Sequence, residues 1–293
     1  MEYGYYPGCS LEGTAKEFDK SLKEVLTKLN CGLKEIEDWS CCGASSAHIT
    51  SHLLSVALPV RNLLLAEKQG LNDVVAPCAA CFSRLLSSQK EMKLDEKTRM
   101  KVEDLMEEKF SNGIQIFNLI QLFQKIGLDK IKEAKKVDLG DLKAACYYGC
   151  LLVRPAEIVN FDDEEDPKTM EEVVKAAGVQ TVDWNYKTEC CGASHSIAHT
   201  DIVEKLSKKI LDDAVSHGAD VIIAACPMCH SNLDMRQKNI IKHNPDHKVI
   251  PVLYLSQLVG IALGISYKNL GLNLHYINPI PAVENRIKRE AVV

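Results

Sequence analysis

Ten of the chain's twelve cysteines fall into one pattern, and the pattern occurs twice. Cys9, the pair Cys41-Cys42, Cys78 and Cys81 make C-x31-CC-x35-C-x2-C. Cys150, the pair Cys190-Cys191, Cys226 and Cys229 make C-x39-CC-x34-C-x2-C. The flanking residues repeat as well: Tyr-Pro-Gly-Cys ending at Cys9 against Tyr-Tyr-Gly-Cys ending at Cys150, and Cys-Cys-Gly-Ala-Ser at both pairs. Adjacent cysteines and Cys-x-x-Cys in an unexported chain are spacings for metal or redox chemistry. A disulfide framework belongs instead to short secreted chains that lack a core. Two five-cysteine sets imply two metal centres, and two centres can deliver two electrons.

Each set must be held by a scaffold, and the periodicity indicates which. Short apolar segments at Glu2–Tyr6, Leu33–Ile36, Asn72–Ala76 and Ile114–Phe117 read as strands, as do Leu142–Tyr148, Val179–Asp183, Asp220–Ala225 and Val249–Leu253. Helical spacing fills the gaps at 11–29, 47–69, 81–89, 167–177, 197–217 and 227–241. Strand, cysteine loop, helix is the rhythm of a parallel sheet with crossover helices. The fold class is therefore α/β: two similar Rossmann-like parallel-sheet domains from an internal duplication, 1–139 and 140–293, the second with a tail from Gly264. The cysteines then lie beyond the carboxyl ends of strands, where open α/β sheets bind ligands.

Length and composition allow two ordinary cores, since 46% of the 293 residues are hydrophobic. A net charge of −5 argues against a general nucleic-acid binder. No apolar run reaches the length of a membrane span. The opening Met-Glu-Tyr-Gly-Tyr-Tyr does not resemble a signal peptide, so a soluble, cytoplasmic protein is expected.

Two adjacent cysteines can face one centre only through a sharp turn, and Gly43 and Gly192 supply the residue free to take positive φ. A helix is expected directly after each turn, with Ser45 or Ser46 and Ser194 as caps and free N–H groups toward the sulfurs. Pro227 suits the first helical position after Cys226, whereas Pro77 precedes Cys78. Zinc sites close with four ligands, so five soft thiolates per set suit an iron-sulfur cluster better.

The doubled motif resembles the CCG domain of iron-sulfur reductases, and most closely the HdrB family, the cysteine-rich subunits of heterodisulfide reductase from methanogenic archaea. The likeness spans the chain, including the tail Ala262-Leu-Gly…Gly271-Leu-Asn-Leu-His275. The resemblance implies two noncubane [4Fe–4S] clusters, one on Cys9, Cys41, Cys42, Cys78 and Cys81, the other on Cys150, Cys190, Cys191, Cys226 and Cys229. It implies reduction of the coenzyme M–coenzyme B disulfide in methanogenesis. Electrons would come from a small subunit with two cubane clusters, a flavin subunit, and a hydrogenase or formate dehydrogenase.

Coenzyme M carries a sulfonate and coenzyme B a phosphate, so fixed cations are expected in the pocket, with Arg84, Arg154 and Lys187 as candidates. Cys31 and Cys146 lie outside the repeat and read as buried thiols. His48, His52, His195 and His199 follow the Cys-Cys turns at helical spacing. The acidic run Asp162–Asp166 reads as a solvated lead-in to a helix. Two rival functions use the same sequence: a CCG relay subunit for a flavoprotein dehydrogenase of lactate, glycolate or glycerol phosphate, and a zinc-stapled scaffold. The chain lacks the C-x2-C-x2-C-x3-C run of a ferredoxin segment, and both its motifs are complete.

Overall fold

In the computed structural model, which describes residues 1–44 and 47–287, eight short strands form two four-stranded sheets. The first comprises β1 (Glu2–Tyr5), β2 (Gly32–Glu35), β3 (Asp73–Val75) and β4 (Gln115–Phe117), in the order β2-β1-β3-β4. The second comprises β5 (Lys143–Tyr147), β6 (Gln180–Thr181), β7 (Val221–Ala224) and β8 (Val252–Tyr254), in the order β6-β5-β7-β8. Every pairing is parallel. The strands match the expected segments closely. Their order also fixes the site, because the chain reverses its progress across the sheet between β1 and β3, and again between β5 and β7. Ligands of open α/β sheets bind at such a reversal. The loops leaving those four strands carry Cys9, Cys78, Cys150 and Cys226.

Several helices are more broken than the periodicity suggests. The segment 11–29 is two helices, Gly8–Glu12 and Lys16–Lys28, because the Gly13 and Ala15 N–H groups turn back to the Cys9 and Ser10 carbonyls. Cys9 thus sits in a turn of its own. After the first Cys-Cys pair come Ala47–Thr50 and His52–Lys68, divided at extended Ser51, whose hydroxyl accepts the Leu54 N–H. The expected caps Ser45 and Ser46 lie outside the described residues. After the second pair a 3-10 turn, Ala193–His195, intervenes and the α-helix starts only at Thr200, so Ser194 caps nothing there. Segment 227–241 divides into Pro227–Met235 and Gln237–His243. The helix Glu96–Met106 has no counterpart in the sequence reading, because only Thr98 and Val102 are buried along it and its apolar period is too weak.

The two halves share one continuous core in place of the two expected from length. The helix Lys16–Lys28 lies on the helix Leu255–Ala262, and between them the Phe18 and Tyr254 rings stack at 4.2 Å with planes 4° apart. Ser21 and Ser256 hydroxyls meet at 2.7 Å in the same seam. A Cβ on Gly260 would lie 2.3 Å from Leu270 and 3.2 Å from Val25, so a side chain there would have to push the buried Leu270 aside. The tail reinforces the join, with Leu270 buried against Gly260 and the Lys268 carbonyl accepting from Lys20. The join also repeats a device of the first half. Asn118-Leu-Ile-Gln121, just after β4, and Tyr254-Leu-Ser-Gln257, starting at the last residue of β8, both return a glutamine oxygen to the backbone N–H that opens the helix.

Because Phe18 is fully buried at this seam, Phe18→Ala should cost about 3–5 kcal/mol. The midpoint of anaerobic urea denaturation, followed by tryptophan fluorescence, measures the loss. An unchanged midpoint would mean that the halves do not depend on this contact.

Candidate functional site

All ten repeat cysteines are free thiols, and each set gathers at the carboxyl edge of its sheet. In the first set, Cys42 and Cys81 sulfurs stand 3.4 Å apart. In the second, Cys191 and Cys229 stand 3.6 Å apart. Cys78 lies close enough to Cys81 to raise its thiol, and Cys229 close enough to Cys226 to lower the Cys226 thiol. Cys9 and Cys41 are exposed rim members of the first set, as are Cys190 and half-exposed Cys150 of the second. The sets approach each other as well: Cys78 and Cys226, equivalent residues of the two repeats, lie close enough across the junction of the halves for their thiols to shift each other, Cys78 upward and Cys226 downward.

Backbone geometry explains how adjacent cysteines serve one set. Gly43 and Gly192 take φ of +73° and +79°, as the turn requires. Their N–H groups then reach back to Cys41 Sγ at 3.4 Å and Cys190 Sγ at 3.3 Å. Gly8 and Gly149, just before the first cysteine of each set, play a different part. A Cβ there would stand 2.9 Å from Cys81 Sγ or 3.0 Å from Cys229 Sγ. Both also have positive φ.

Crowded sulfurs polarise one another. The Cys42 thiol falls to about 3 because Cys41 and Cys81 hydrogen-bond it, with help from the Ala44 N–H and the Arg84 charge. Cys190 falls to about 6 through Cys150, then the Gly192 and Ala193 N–H groups. Their donors Cys41 and Cys150 are pushed up in exchange. Each set therefore holds a ready thiolate, the form that binds metal. Among the described residues, no three of these sulfurs lie within 4.8 Å of one another. Four thiolates around one zinc ion at 2.3 Å would stand roughly 3.8 Å apart, so the wider spread suits a multi-iron cluster.

The loops are held by groups the sequence reading passed over. Tyr6 donates its hydroxyl to the Ser40 carbonyl at 2.7 Å, and Tyr147 to the Glu189 carbonyl at 2.6 Å, each just before a Cys-Cys pair. Both tyrosines are buried at the same place in the repeat, so comparing the two halves could have found them. Asn62 grips Ser40 from the other side, accepting its N–H at 2.7 Å and donating to its carbonyl at 2.9 Å. Asn232, three residues after Cys229, donates to Cys191 Sγ at 3.5 Å.

The three candidate cations have different surroundings. Lys187 is only 3% exposed, and its ammonium lies 2.9 Å from Asp166 and 3.0 Å from Glu171. Burial would lower its pKa, but the two carboxylates outweigh that and keep it protonated. Its charge is shared with two carboxylates inside the framework. Its carbonyl also accepts the Tyr148 and Gly149 N–H groups, fixing the loop to Cys150. Glu171 in turn accepts the Tyr148 hydroxyl. The acidic run is likewise structural, since Asp162 caps the helix at Thr169 and Asp166 pairs with Lys187. Arg154, one-third exposed, bonds Glu165 at 2.9 Å and Thr188 at 3.0 Å. Arg84 donates to the Ser55 carbonyl at 2.8 Å, and its buried Nε has no partner among the described residues.

The four histidines near the turns are exposed. His52 pairs with Glu91 at 3.0 Å, and His195 lies near enough to Cys190 to favour its thiolate. Cys31 and Cys146 are buried away from the sets, as expected, and burial pushes the Cys146 thiol up. A second buried group was not foreseen. His230 and His275 nitrogens approach at 3.3 Å, Gln257 donates to His275 at 2.8 Å, and Asp234 accepts the Tyr276 and Ile277 N–H groups. These bonds tie the tail to the helix that carries Cys229.

Tyr147→Phe removes the part-buried hydrogen bond to the Glu189 carbonyl, a net loss of about 0.5–1.5 kcal/mol. Thermal unfolding of Tyr147→Phe and Tyr6→Phe should show comparable losses. If both variants match the wild type, the hydroxyls do not hold the loops.

Comparison with known proteins agrees with this geometry. The family described as "Cysteine-rich domain", CCG, matches residues 3–85 and 144–234. The chain is 32% identical to the 8-methylmenaquinol:fumarate reductase membrane anchor subunit of Wolinella succinogenes, over 94% of this chain and 97% of the relative. It is 31% identical to the HdrB subunit of the ferredoxin:CoB-CoM heterodisulfide reductase of Methanosarcina mazei, over 93% of both chains. The HdrB subunit of the ferredoxin/F420H2-dependent enzyme of Methanosarcina acetivorans is 30% identical over 94% of this chain and 93% of the relative. The crystal structure of a hypothetical protein from Helicobacter pylori shares the fold, with a TM-score of 0.73 at 14% identity, over 94% of this chain and 51% of that one. The duplicated cysteine motif, the paired parallel sheets and these likenesses agree: the chain belongs to the CCG cysteine-rich family that includes the HdrB subunits of heterodisulfide reductase.

Proposed function

We propose that this chain is the catalytic iron-sulfur subunit of a heterodisulfide reductase, converting the coenzyme M–coenzyme B disulfide into two thiols. The observation that carries the proposal is the meeting of the two sulfur sets at Cys78 and Cys226. Splitting a disulfide takes two electrons and two protons, and two one-electron centres side by side can supply both electrons to one S–S bond. Five thiols per set, backbone N–H groups on Cys41 and Cys190, and the unpartnered Arg84 Nε all fit an iron-sulfur cluster. Each set would hold one noncubane [4Fe–4S] cluster, which supplies the one-electron chemistry when bound. The fold contributes position: both sulfurs of a substrate lodged at the junction would lie near a centre, which lowers the barrier without an acid or base in the cleavage step.

Arg154 is the group best suited to an anionic end of the substrate, because its bond to highly exposed Glu165 is easily exchanged. Electrons would arrive through a small cubane-cluster subunit and a flavin subunit, and from hydrogenase or formate dehydrogenase. Assembly with such partners would leave the chain cytoplasmic, and no helix among the described residues is long and apolar enough to cross a membrane.

One observation favours a second reading. The Wolinella succinogenes relative, matched over nearly its whole length, is by name part of a fumarate reductase. On that reading the chain passes electrons to or from a flavoprotein that binds the substrate, and no disulfide is involved.

Three measurements test these readings. Anaerobically purified protein should carry about eight irons with matching acid-labile sulfide; zinc with negligible iron would overturn both redox readings. Cys190→Ala should lose one centre's iron and all disulfide reduction, while Cys146→Ala keeps both. The wild-type chain with its small partner should reduce the heterodisulfide from a reduced viologen dye, and Arg154→Gln should lower kcat/KM about ten- to hundredfold. Failure of the wild-type pair on the disulfide, with iron present, would favour the relay.

A further inference from the structure

Just past their last cysteine the two repeats share a serine and a leucine and differ at two positions, one of which lies over the sulfurs. Cys81-Phe-Ser-Arg84-Leu stands against Cys229-His-Ser-Asn232-Leu. Three residues on from a ligand-type cysteine is nearly one helical turn, so each side chain lies over the sulfur set of its own repeat. Asn232 shows what the position contacts. It is buried, its oxygen accepts from Ser196 at 2.9 Å, and its amide donates to Cys191 Sγ at 3.5 Å and to the Cys191 carbonyl at 3.3 Å. Cys191 is the second member of its Cys-Cys pair, equivalent to Cys42.

In the first repeat the same position carries a full positive charge. Arg84 donates to a neutral carbonyl, that of Ser55, and no carboxylate pairs with it among the described residues. Its Nε is buried and free of any partner among the described residues. The charge favours the Cys42 thiolate. One centre is thus faced by a cation and the other by a neutral amide. Around the second set, the His195 ring is exposed to solvent, which screens it, and Arg154 is paired with Glu165. The Ala79 N–H on Cys226 favours the second set, but as a neutral dipole it is weaker than a whole charge.

We propose that positions 84 and 232 set the two centres at unequal reduction potentials, with Arg84 making the N-terminal centre the easier to reduce. This rests on the iron-sulfur reading of the ten cysteines. A reduced centre is one unit more negative than an oxidised one, so a nearby cation stabilises the reduced form and raises the potential. The first electron from an external one-electron donor would rest at the N-terminal centre and the second at the C-terminal one. The duplicated protein would then load its electrons in a fixed order.

The test is an anaerobic potentiometric titration of the whole chain, followed by visible absorbance and EPR, with dithionite as reductant. The wild type should show two separate midpoints. Arg84→Gln should lower the upper midpoint and leave the lower one in place. The shift should be at least a tenfold change in that one-electron equilibrium, about 59 mV. Arg84→Lys, which keeps the charge, should restore most of the gap. Asn232→Asp should widen the gap by lowering the other midpoint, and it carries the test if Arg84→Gln fails to load iron. Coincident wild-type midpoints, or a gap that neither Arg84→Gln nor Asn232→Asp alters, would overturn the proposal. No iron-sulfur signal in the wild type would instead overturn the reading on which it rests.

Discussion

Cys78 and Cys226 hold the same place in their repeats, and their thiols meet where the two halves join. Such a contact between equivalent residues requires the halves to pack with their ligand edges facing, which neither sheet can impose alone. The seam of Phe18, Ser21, Tyr254, Ser256 and Gly260 supplies the requirement. Two sets of crowded sulfurs would each be an ordinary site if kept apart. Brought together they form, on the reading proposed above, one region able to handle a pair of electrons. The continuous core is thus part of the chemistry as well as of the stability.

Holding ten thiols at the ends of flexible loops needs more than a hydrophobic core. Each Cys-Cys turn is pinned by a buried tyrosine hydroxyl donated to the preceding carbonyl. Lys187 shows a costlier device. A buried ammonium is tolerated because two carboxylates share it, and its own carbonyl fixes the loop that leads to Cys150. Breaking such a buried pair strands a charge, which is why the group behaves as framework and not as a spare cation. The tail adds a third restraint through Asp234, His275 and Gln257.

The duplication is informative where it fails. Pro227 occupies the first helical position after Cys226, but Ala79 occupies it after Cys78 and offers an N–H to the opposite sulfur. Tyr254 stands where the first half has Asn118, and its ring builds the seam. Arg84 stands opposite Asn232. A symmetric scaffold with unequal residues at a few contact points can give two like centres unlike roles, as electron transfer in one direction demands.

The sequence by itself determined the eight strands, the α/β class, the ten cysteines and the glycines that turn each Cys-Cys pair. Those features depend on local pattern: apolar runs between breakers, fixed spacing, and a residue able to take positive φ. It did not reveal the breaks at Ala15, Ser51 and Arg236, which arise from backbone hydrogen bonds and local dihedrals within otherwise helical spacing. Nor could it distinguish Lys187 from Arg154, since both lie near a ligand cysteine in sequence. Only packing decided that one charge is enclosed by Asp166 and Glu171 while the other stays partly in solvent. The meeting of the two sulfur sets likewise belongs to tertiary structure, because it joins residues 148 positions apart through a seam whose partners lie in different halves.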